Sequence, residues 1–281
     1  LELLGKWNLR NYVNYDQIRW TNFYGLGNET LLSNKNRDFY RTRSEEFIAR
    51  VTTDRVFNNK HKFSTGIYFN TYRILNDTNR FLIKQSGLNN QLRSINENFG
   101  AAVAGYVFQH LNDSVLPTKG ISFQVDGTFI DNLKKNSNNV AKIGASTNFF
   151  IPISKKFSIF TRVGGSTLSG TPQFFQYNRI GGSNTIRGYQ RDRFYGNSTA
   201  FNQNELRYIT NVKSFLFNGK FGVFGLYDAG RTWLKGETSK EIHTAYGGGI
   251  ILSPFNRITV SLAYAKSPED TNIHIALLKP F

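Results

Sequence analysis

The sequence predicts an all-β fold, a transmembrane antiparallel β-barrel of the outer-membrane type, and three observations carry that expectation. Segments of about ten residues alternate between apolar and polar side chains, the period of a strand with two unlike faces. Short and long connections between those segments alternate. The chain also holds 25 Phe and 14 Tyr at a mean hydropathy of −0.41, the average expected of an apolar outer stripe around a wet interior. A single barrel accommodates 281 residues without a second domain.

Taken in order, the candidate strands are 1–12, 17–25, 39–57, 62–75, 99–111, 119–131, 139–152, 157–169, 198–213, 219–233, 242–253, 257–267 and 271–281. In Gly120–Asp131, Ile121, Phe123, Val125 and Phe129 share one face and Ser122, Gln124, Asp126 and Thr128 the other. Val140–Ile151 sets Ala141, Ile143, Ala145, Phe149 and Ile151 against Lys142, Gly144, Ser146 and Asn148. Phe157, Ile159 and Val163 oppose Ser158, Arg162 and Ser166, and Ile258, Val260, Leu262 and Tyr264 oppose Thr259, Ser261 and small alanines. The segment Phe39–Phe57 outruns the roughly 3–10 residues usual in soluble sheets. No run reaches the roughly 18 consecutive apolar residues of a membrane helix. A bilayer would therefore be crossed by closed strands, which leave no backbone group unpaired in lipid.

The connections Asn58–His61, Ile153–Lys156 and Ser253–Asn256 are tight, whereas Leu26–Asp38, Asn76–Asn98, Asp131–Asn139, Thr171–Asn197 and Leu234–Glu241 are long and polar. Outer-membrane barrels segregate their connections in this way, with short turns in the periplasm and long loops outside. The expected location is thus the bacterial outer membrane, with lipid and lipopolysaccharide around the barrel and the C-terminus on the periplasmic side. Thirteen strands is an odd count where bacterial barrels are even. It reads as most of a sixteen-stranded barrel spanning 1–281, whose first strands and any periplasmic domain precede Leu1.

Composition removes several kinds of chemistry. Without Cys there are no disulfides, thiol nucleophiles or thiolate metal sites. The four His residues, 61, 110, 243 and 274, read as scattered one per strand end, without metal-ligand spacing. No nucleophile elbow, phosphate loop or zinc-protease motif is present, so no catalytic residue, metal or cofactor is expected. A formal charge of +16 suits a basic interior or rims facing anionic headgroups. Nucleic acid is not an expected partner, because the basic residues are dispersed and lack a binding motif. Gly247–Gly249 falls within a strand, where glycine makes room for a neighbour or eases a bend.

The segment Ile180–Tyr189, reading IGGSNTIRGY, lies in the long connection 171–197 and is followed by Arg191, Arg193 and Tyr195. In this setting it resembles the inserted loop of the bacterial surface antigen and outer-membrane assembly-factor barrel superfamily, the BamA, TamA and FhaC type. Asp113 with Pro117, Thr118 and Gly120 resembles that family's periplasmic turn signature, and Val223–Trp233 its strand with a wall aspartate. Asn272–Phe281 places Ile273, Ile275, Leu277 and the final Phe281 on one face and is similar to the terminal assembly signal of such barrels. Lys279 shares that face, tolerable because its stem can snorkel to the interface. Five candidate strands follow the loop, the family's number. Eight precede it where the family has eleven, the terminal strand lacks the family's usual glycine, and no POTRA domain is present.

The resemblance implies that loop 171–197 is extracellular and folds into the lumen, where the tip Ile186, Arg187, Gly188, Tyr189 brings Arg187 to acidic residues of the wall. Side-chain parity points the same way. With Leu206, Tyr208 and Val212 outward, Glu205 and Arg207 face inward, and with Phe221, Val223 and Tyr227 outward, so does Asp228. Two carboxylates on neighbouring strands suit a guanidinium, which pairs bidentately and stays charged. The expected function is assembly or translocation: assisting insertion of outer-membrane proteins or export of a polypeptide, with client polypeptides and periplasmic or lipoprotein accessory subunits as partners. Two alternatives stand beside it, a membrane anchor or display barrel for an N-terminal enzymatic domain and a passive anion-preferring channel. A soluble basic β-protein would differ from all three by extracting without detergent.

Overall fold

The computed structural model describes residues 2–3, 7–33, 36–75, 79–84, 96–134, 139–213 and 218–278. Long antiparallel strands account for most of them: β1 (Glu2–Leu3), β2 (Trp7–Asn22), β3 (Arg41–Phe57), β4 (His61–Ile74), β5 (Asn96–Leu111), β6 (Gly120–Asn132), β7 (Val140–Pro152) and β8 (Phe157–Gly170). After a short hairpin of β9 (Asn178–Ile180) and β10 (Phe194–Gly196) come β11 (Ser198–Lys213), β12 (Asn218–Trp233), β13 (His243–Pro254), β14 (Thr259–Lys266) and β15 (Thr271–Leu278). Each strand pairs with its sequence neighbour, and β8 passes over the hairpin to β11, giving a 13-stranded order from β1 to β15. This is the transmembrane antiparallel barrel wall. No described helix is long and apolar enough to cross a membrane.

The strand reading needs one correction. Segments 1–12 and 17–25, expected as two strands, are divided otherwise: Glu2–Leu3 is β1, paired with the start of β2, and β2 runs unbroken from Trp7 to Asn22 against β3. The register steps from Asp16 opposite Glu46 to Arg19 opposite Ser44, so β2 carries one extra residue, a β-bulge. That residue flips the phase of the alternation: Val13 and Tyr15 point outward before it, Ile18 and Trp20 after it. A broken period looks like a turn in sequence, and here it is a kink within one strand. The thirteenth member of the sheet is the two-residue β1.

Outward faces carry the apolar residues. Ile67, Ile143, Leu206, Val223, Tyr227, Ile250, Leu262, Ile273 and Ile275 are all exposed, while their in-strand neighbours turn inward. Along β12 the pattern alternates almost perfectly, with Phe224, Leu226, Asp228, Gly230 and Thr232 inside. Exposed apolar residues on that scale would be an aggregation hazard in water and are the norm against lipid.

The two ends of the barrel differ. One end holds the tight turns and the other the long connections, with two departures: Ser267–Asp270 is a short link at the long-loop end, and the turn at 112–119 is longer than its neighbours. The described parts of the long connections carry structure of their own. Arg37–Tyr40 and Phe81–Lys84 form short helical turns, and Phe23, Tyr72, Leu82, Phe99, Phe174 and Tyr195 pack as one aromatic-rich cluster. Among the described residues β15 pairs only with β14. The link before β15 is joined to the connection after β2 by side chains, Arg37 binding Asp270 at 2.8 Å.

Candidate functional site

The segment between β8 and β11 is shaped by its own backbone. Gly181 and Gly182 take φ of +115° and +90°, a region that excludes most side chains. The turn they allow is closed by hydrogen bonds from Gly182 N to the carbonyls of Ile186 (3.0 Å) and Tyr189 (3.1 Å), and from Gly181 N to Thr185 Oγ1 (2.8 Å). Pairing of Ile180 with Phe194 and Asn178 with Gly196 holds the base together as a hairpin. The segment Ile186–Tyr189 is thereby pushed out as a stiff tip.

Each residue of that tip meets the wall formed by β11–β15. Ile186 is fully buried among Ile180, Phe194, Tyr189 and Ala245. Arg187 is 6% exposed. Its Nε and Nη2 donate to Oδ2 (2.8 Å) and Oδ1 (2.7 Å) of Asp228, a bidentate pair, and its backbone N–H donates to the same carboxylate at 3.0 Å. Its Nη1 donates to Glu205 Oε1. Gly188 lies so close to the wall that a Cβ there would sit 2.6 Å from Ala245 Cβ and 2.8 Å from Ser267 N. The Tyr189 ring meets Phe194 and His243 edge-on.

The structure thus brings together Ile186, Arg187, Gly188, Tyr189, Glu205 and Asp228. Parity sets Arg207 inward but does not say what it or the other supporting residues touch. Arg207, also inward on β11, donates to the second oxygen of Glu205 at 2.7 Å and lies 4.4 Å above the Phe160 ring. From β15, His274 bonds the carbonyl of Arg187, and Asn272 Nδ2 donates to the carbonyl of Gly188 at 2.9 Å. Gln203 on β11 donates to the Ser183 carbonyl at 3.0 Å. His274 is therefore mid-strand and in contact with the tip, a correction to its reading as a stray strand-end residue. His243, at the start of β13, contacts the Asn28 carbonyl at 2.8 Å.

Charge in this cluster balances, two guanidiniums against two carboxylates. Burial opposes the charge on Arg187, but its hydrogen bond to Asp228 and the charges of Glu205 and Asp228 outweigh burial and raise its pKa. The group therefore stays ionised at any relevant pH. Removing one member of such a buried set leaves the others unpaired, which typically costs about 3–5 kcal/mol.

A second arginine centre lies nearer the long-loop end. Arg193 is fully buried, pairs with Glu269 through Nε at 2.7 Å and donates to Thr30 Oγ1 at 2.6 Å. Gln190 donates to Asp270 and, at 2.8 Å, to Asn272 Oδ1. The loop thus joins the connection after β2 to the link before β15, contacts between residues far apart in sequence.

The remaining candidate residues lie elsewhere. Asp113, Pro117, Thr118 and Gly120 form the turn between β5 and β6. Asp113 Oδ1 accepts from Val115 N (2.8 Å) and Leu116 N (3.3 Å), Thr118 N donates to Asn112 Oδ1 at 3.1 Å, and Gly120 takes φ of +126°. Ile273, Ile275 and Leu277 point outward from β15. Phe281 and Lys279 lie outside the described residues. Within β13, a Cβ on Gly249 would approach the Phe224 ring to 2.5 Å, so the glycine leaves room for that inward ring.

Known proteins place this geometry. The Omp85 superfamily domain matches residues 6–276. Among solved structures, BamA from Haemophilus ducreyi lacking POTRA domains 1-3 superposes with a TM-score of 0.66 at 15% identity, over 97% of this chain and 61% of that one. CdiB from Escherichia coli superposes with a TM-score of 0.57 at 12% identity, over 96% of this chain and 49% of that one. No curated protein matches the chain. The chain therefore spans about half to three-fifths of the length of these two structures. At these identities they speak for the fold alone, whereas the domain match covers nearly every residue: the chain belongs to the Omp85 superfamily.

Proposed function

We propose that the chain is the membrane barrel of an outer-membrane assembly or translocation protein, and that loop 171–197 is a plug locked in its lumen. The observation that carries this reading is Arg187, buried between Asp228 and Glu205 with its backbone also tied to β12 and β15. An open pore has no use for a stiff tip held by four strands. A barrel that must pass or insert polypeptide while remaining sealed does. In this reading the long loops are extracellular, the tight turns and the C-terminal end of β15 are periplasmic, and the barrel itself carries no catalytic centre. Its surroundings are outer-membrane lipid and lipopolysaccharide, and its partners are unfolded client polypeptides with periplasmic or lipoprotein accessory subunits.

The test uses the full-length protein in liposomes and an unfolded outer-membrane barrel as client. Wild type is expected to accelerate client insertion over empty liposomes, and Arg187→Ala to lose most of that gain. Equal rates with and without the protein would reject the assembly reading. For export, the corresponding assay is passage of a polypeptide across the same membrane.

One observation favours a second reading, an anion-preferring channel. A cavity of about 1030 Å³ between β2–β7 and the loop is lined by Arg10, Arg19, Arg50, Lys142 and Arg179 against Asp16, Glu46 and Asp126. Reversal potentials across a salt gradient distinguish the two. Steady anion-selective current from the wild type favours the channel.

A further inference from the structure

The turn between β5 and β6 does more than connect two strands. Residues 112–119 leave one side of the barrel, yet their contacts are on strands far around the sheet order. Leu116 is 1% exposed and packs among Ile209 of β11, Phe224 and Leu226 of β12, Ile251 of β13, and Ala263 and Ala265 of β14. The carbonyl of Val115 accepts from Thr259 Oγ1 at the start of β14 at 2.9 Å. Asp113 Oδ2 pairs with Lys220 Nζ on β12 at 2.8 Å. All three contacts cross between the β5–β6 side and the β11–β14 side at the tight-turn end.

The turn is held ready for this by its own hydrogen bonds. Asn112 Oδ1 accepts from the N–H groups of Thr118 (3.1 Å) and Lys119 (3.0 Å), and Asp113 Oδ1 accepts from Val115 and Leu116. Leu116 is presented at the crest. The receiving wall is shaped to match, with small inward residues, Ala263 and Ala265, beside Ile251. Above the turn and below the Arg187 tip lies a cavity of about 340 Å³, bounded by Leu116 and Pro117 on one side and by Arg187, Glu205 and Arg207 on the other.

We propose that turn 112–119 is the floor of the lumen, a second closure on the tight-turn side that is separate from the loop plug and latched by Leu116, Val115–Thr259 and Asp113–Lys220. It deepens the plug reading, since a floor matters only if the lumen above it is a path. The two closures then bound a small chamber, and opening the loop alone leaves the path blocked.

The absence of cysteine from the chain permits a clean test. The double substitution Asp113→Cys with Lys220→Cys is bridged by a short reducible bis-thiol linker, in a chain whose loop tip 183–189 is replaced by a short Gly-Ser segment and whose other two latches are removed by Leu116→Ala and Thr259→Val, so that the linker alone holds the turn. Electrophoretic mobility with and without heating verifies that the barrel is folded, and single-channel conductance is read in planar bilayers. With the tip removed and the linker intact, conductance is expected to remain near the wild-type level and to rise several-fold when reductant cuts the linker. A tip-less barrel that conducts equally before and after reduction overturns the floor. The plug reading is judged separately, by comparing wild type and the tip-less chain without cysteines after Leu116→Ala, Thr259→Val and Lys220→Gln have been placed in both to release the floor: equal conductance there sinks the plug and not the floor. If the cysteine pair does not fold, Thr259→Val, Leu116→Ala and Lys220→Gln together in the tip-less chain take its place, with a rise over the tip-less parent supporting the floor and no change opposing it.

Discussion

The two sides of this barrel's interior are built on opposite plans. The wall of β11–β15 presents small residues and paired carboxylates inward: Gly230, Ala245, Ala263, Ala265, Glu205 and Asp228, with Phe224 seated over Gly249. Loop tip and turn pack against it, with a cavity of about 340 Å³ between them. The wall of β2–β7 presents long polar side chains, Arg10, Arg19, Arg50, Tyr68, Asn70 and Lys142, around an open cavity of about 1030 Å³. Small inward residues admit another piece of backbone, and a buried carboxylate then needs a partner from that piece. Long charged residues keep backbone out and water in. One strand pattern, polar-in and apolar-out, thus gives a packed half and a wet half, according to the size and pairing of its inward residues.

Substitutions on the two walls should therefore differ, and the largest effect is expected at Asp228. Asp228→Ala strands Arg187 in a buried site and is expected to destabilise by about 3–5 kcal/mol, read as a shift in the urea midpoint of the folded barrel. Leu116→Ala removes a buried side chain beside an existing cavity. A cost of about 2–3 kcal/mol is expected, near the lower end for buried leucines. Gly249→Ala would press its Cβ into the Leu262 carbonyl oxygen and set it 2.5 Å from the Phe224 ring, so backbone as well as ring must shift, and it should cost about 1–3 kcal/mol, as overpacking does. On the wet side, Arg50→Ala should stay within about 0.5 kcal/mol, the range of solvated positions. A cost there comparable to that of Asp228→Ala would erase the distinction between the walls.

The smallest expected effect is a pH dependence at the turn. Burial alone would raise the Asp113 carboxyl, but its hydrogen bond with Lys220 and those from Val115 and Leu116 hold it below the usual range. A depressed carboxylate contributes stability that is present above its unfolded value, about 3.9, and is lost as pH falls through the lower folded value. The latch should therefore persist through mildly acidic conditions and weaken only below about pH 4. Lys220→Gln should remove the share of that acid dependence due to Lys220, leaving the share due to Val115 and Leu116, without altering the Arg187 cluster.

Much of this was legible in sequence, for physical reasons. Outward apolar residues repeat every second position, so strands such as β6, β7 and β12 declare themselves, and Glu205 and Asp228 fall on the inner face once Leu206 and Tyr227 are set outward. The bulge after Asp16 was not legible, because one extra residue and a turn break the period alike. His274, Asn272 and Gln203 were not legible as parts of the site, and Arg207, set inward by parity, was legible without its partner. Their parity places them inside, but only the three-dimensional path of the loop says which inward residues meet its tip. The turn motif Asp113, Pro117, Thr118, Gly120 could be seen, whereas the destination of Leu116, more than ninety residues away in sequence at Ile209, could not.

The contact between loop and wall is tested most directly by a double-mutant cycle on Arg187→Ala and Asp228→Ala, measured as unfolding free energy in one lipid or detergent system. If the two residues form one buried pair, either substitution forfeits most of the energy and the double variant costs little more than one alone, a coupling of at least about 1 kcal/mol. Additive costs, with no coupling, would show that Arg187 and Asp228 act independently and that the loop is not locked to the wall through them.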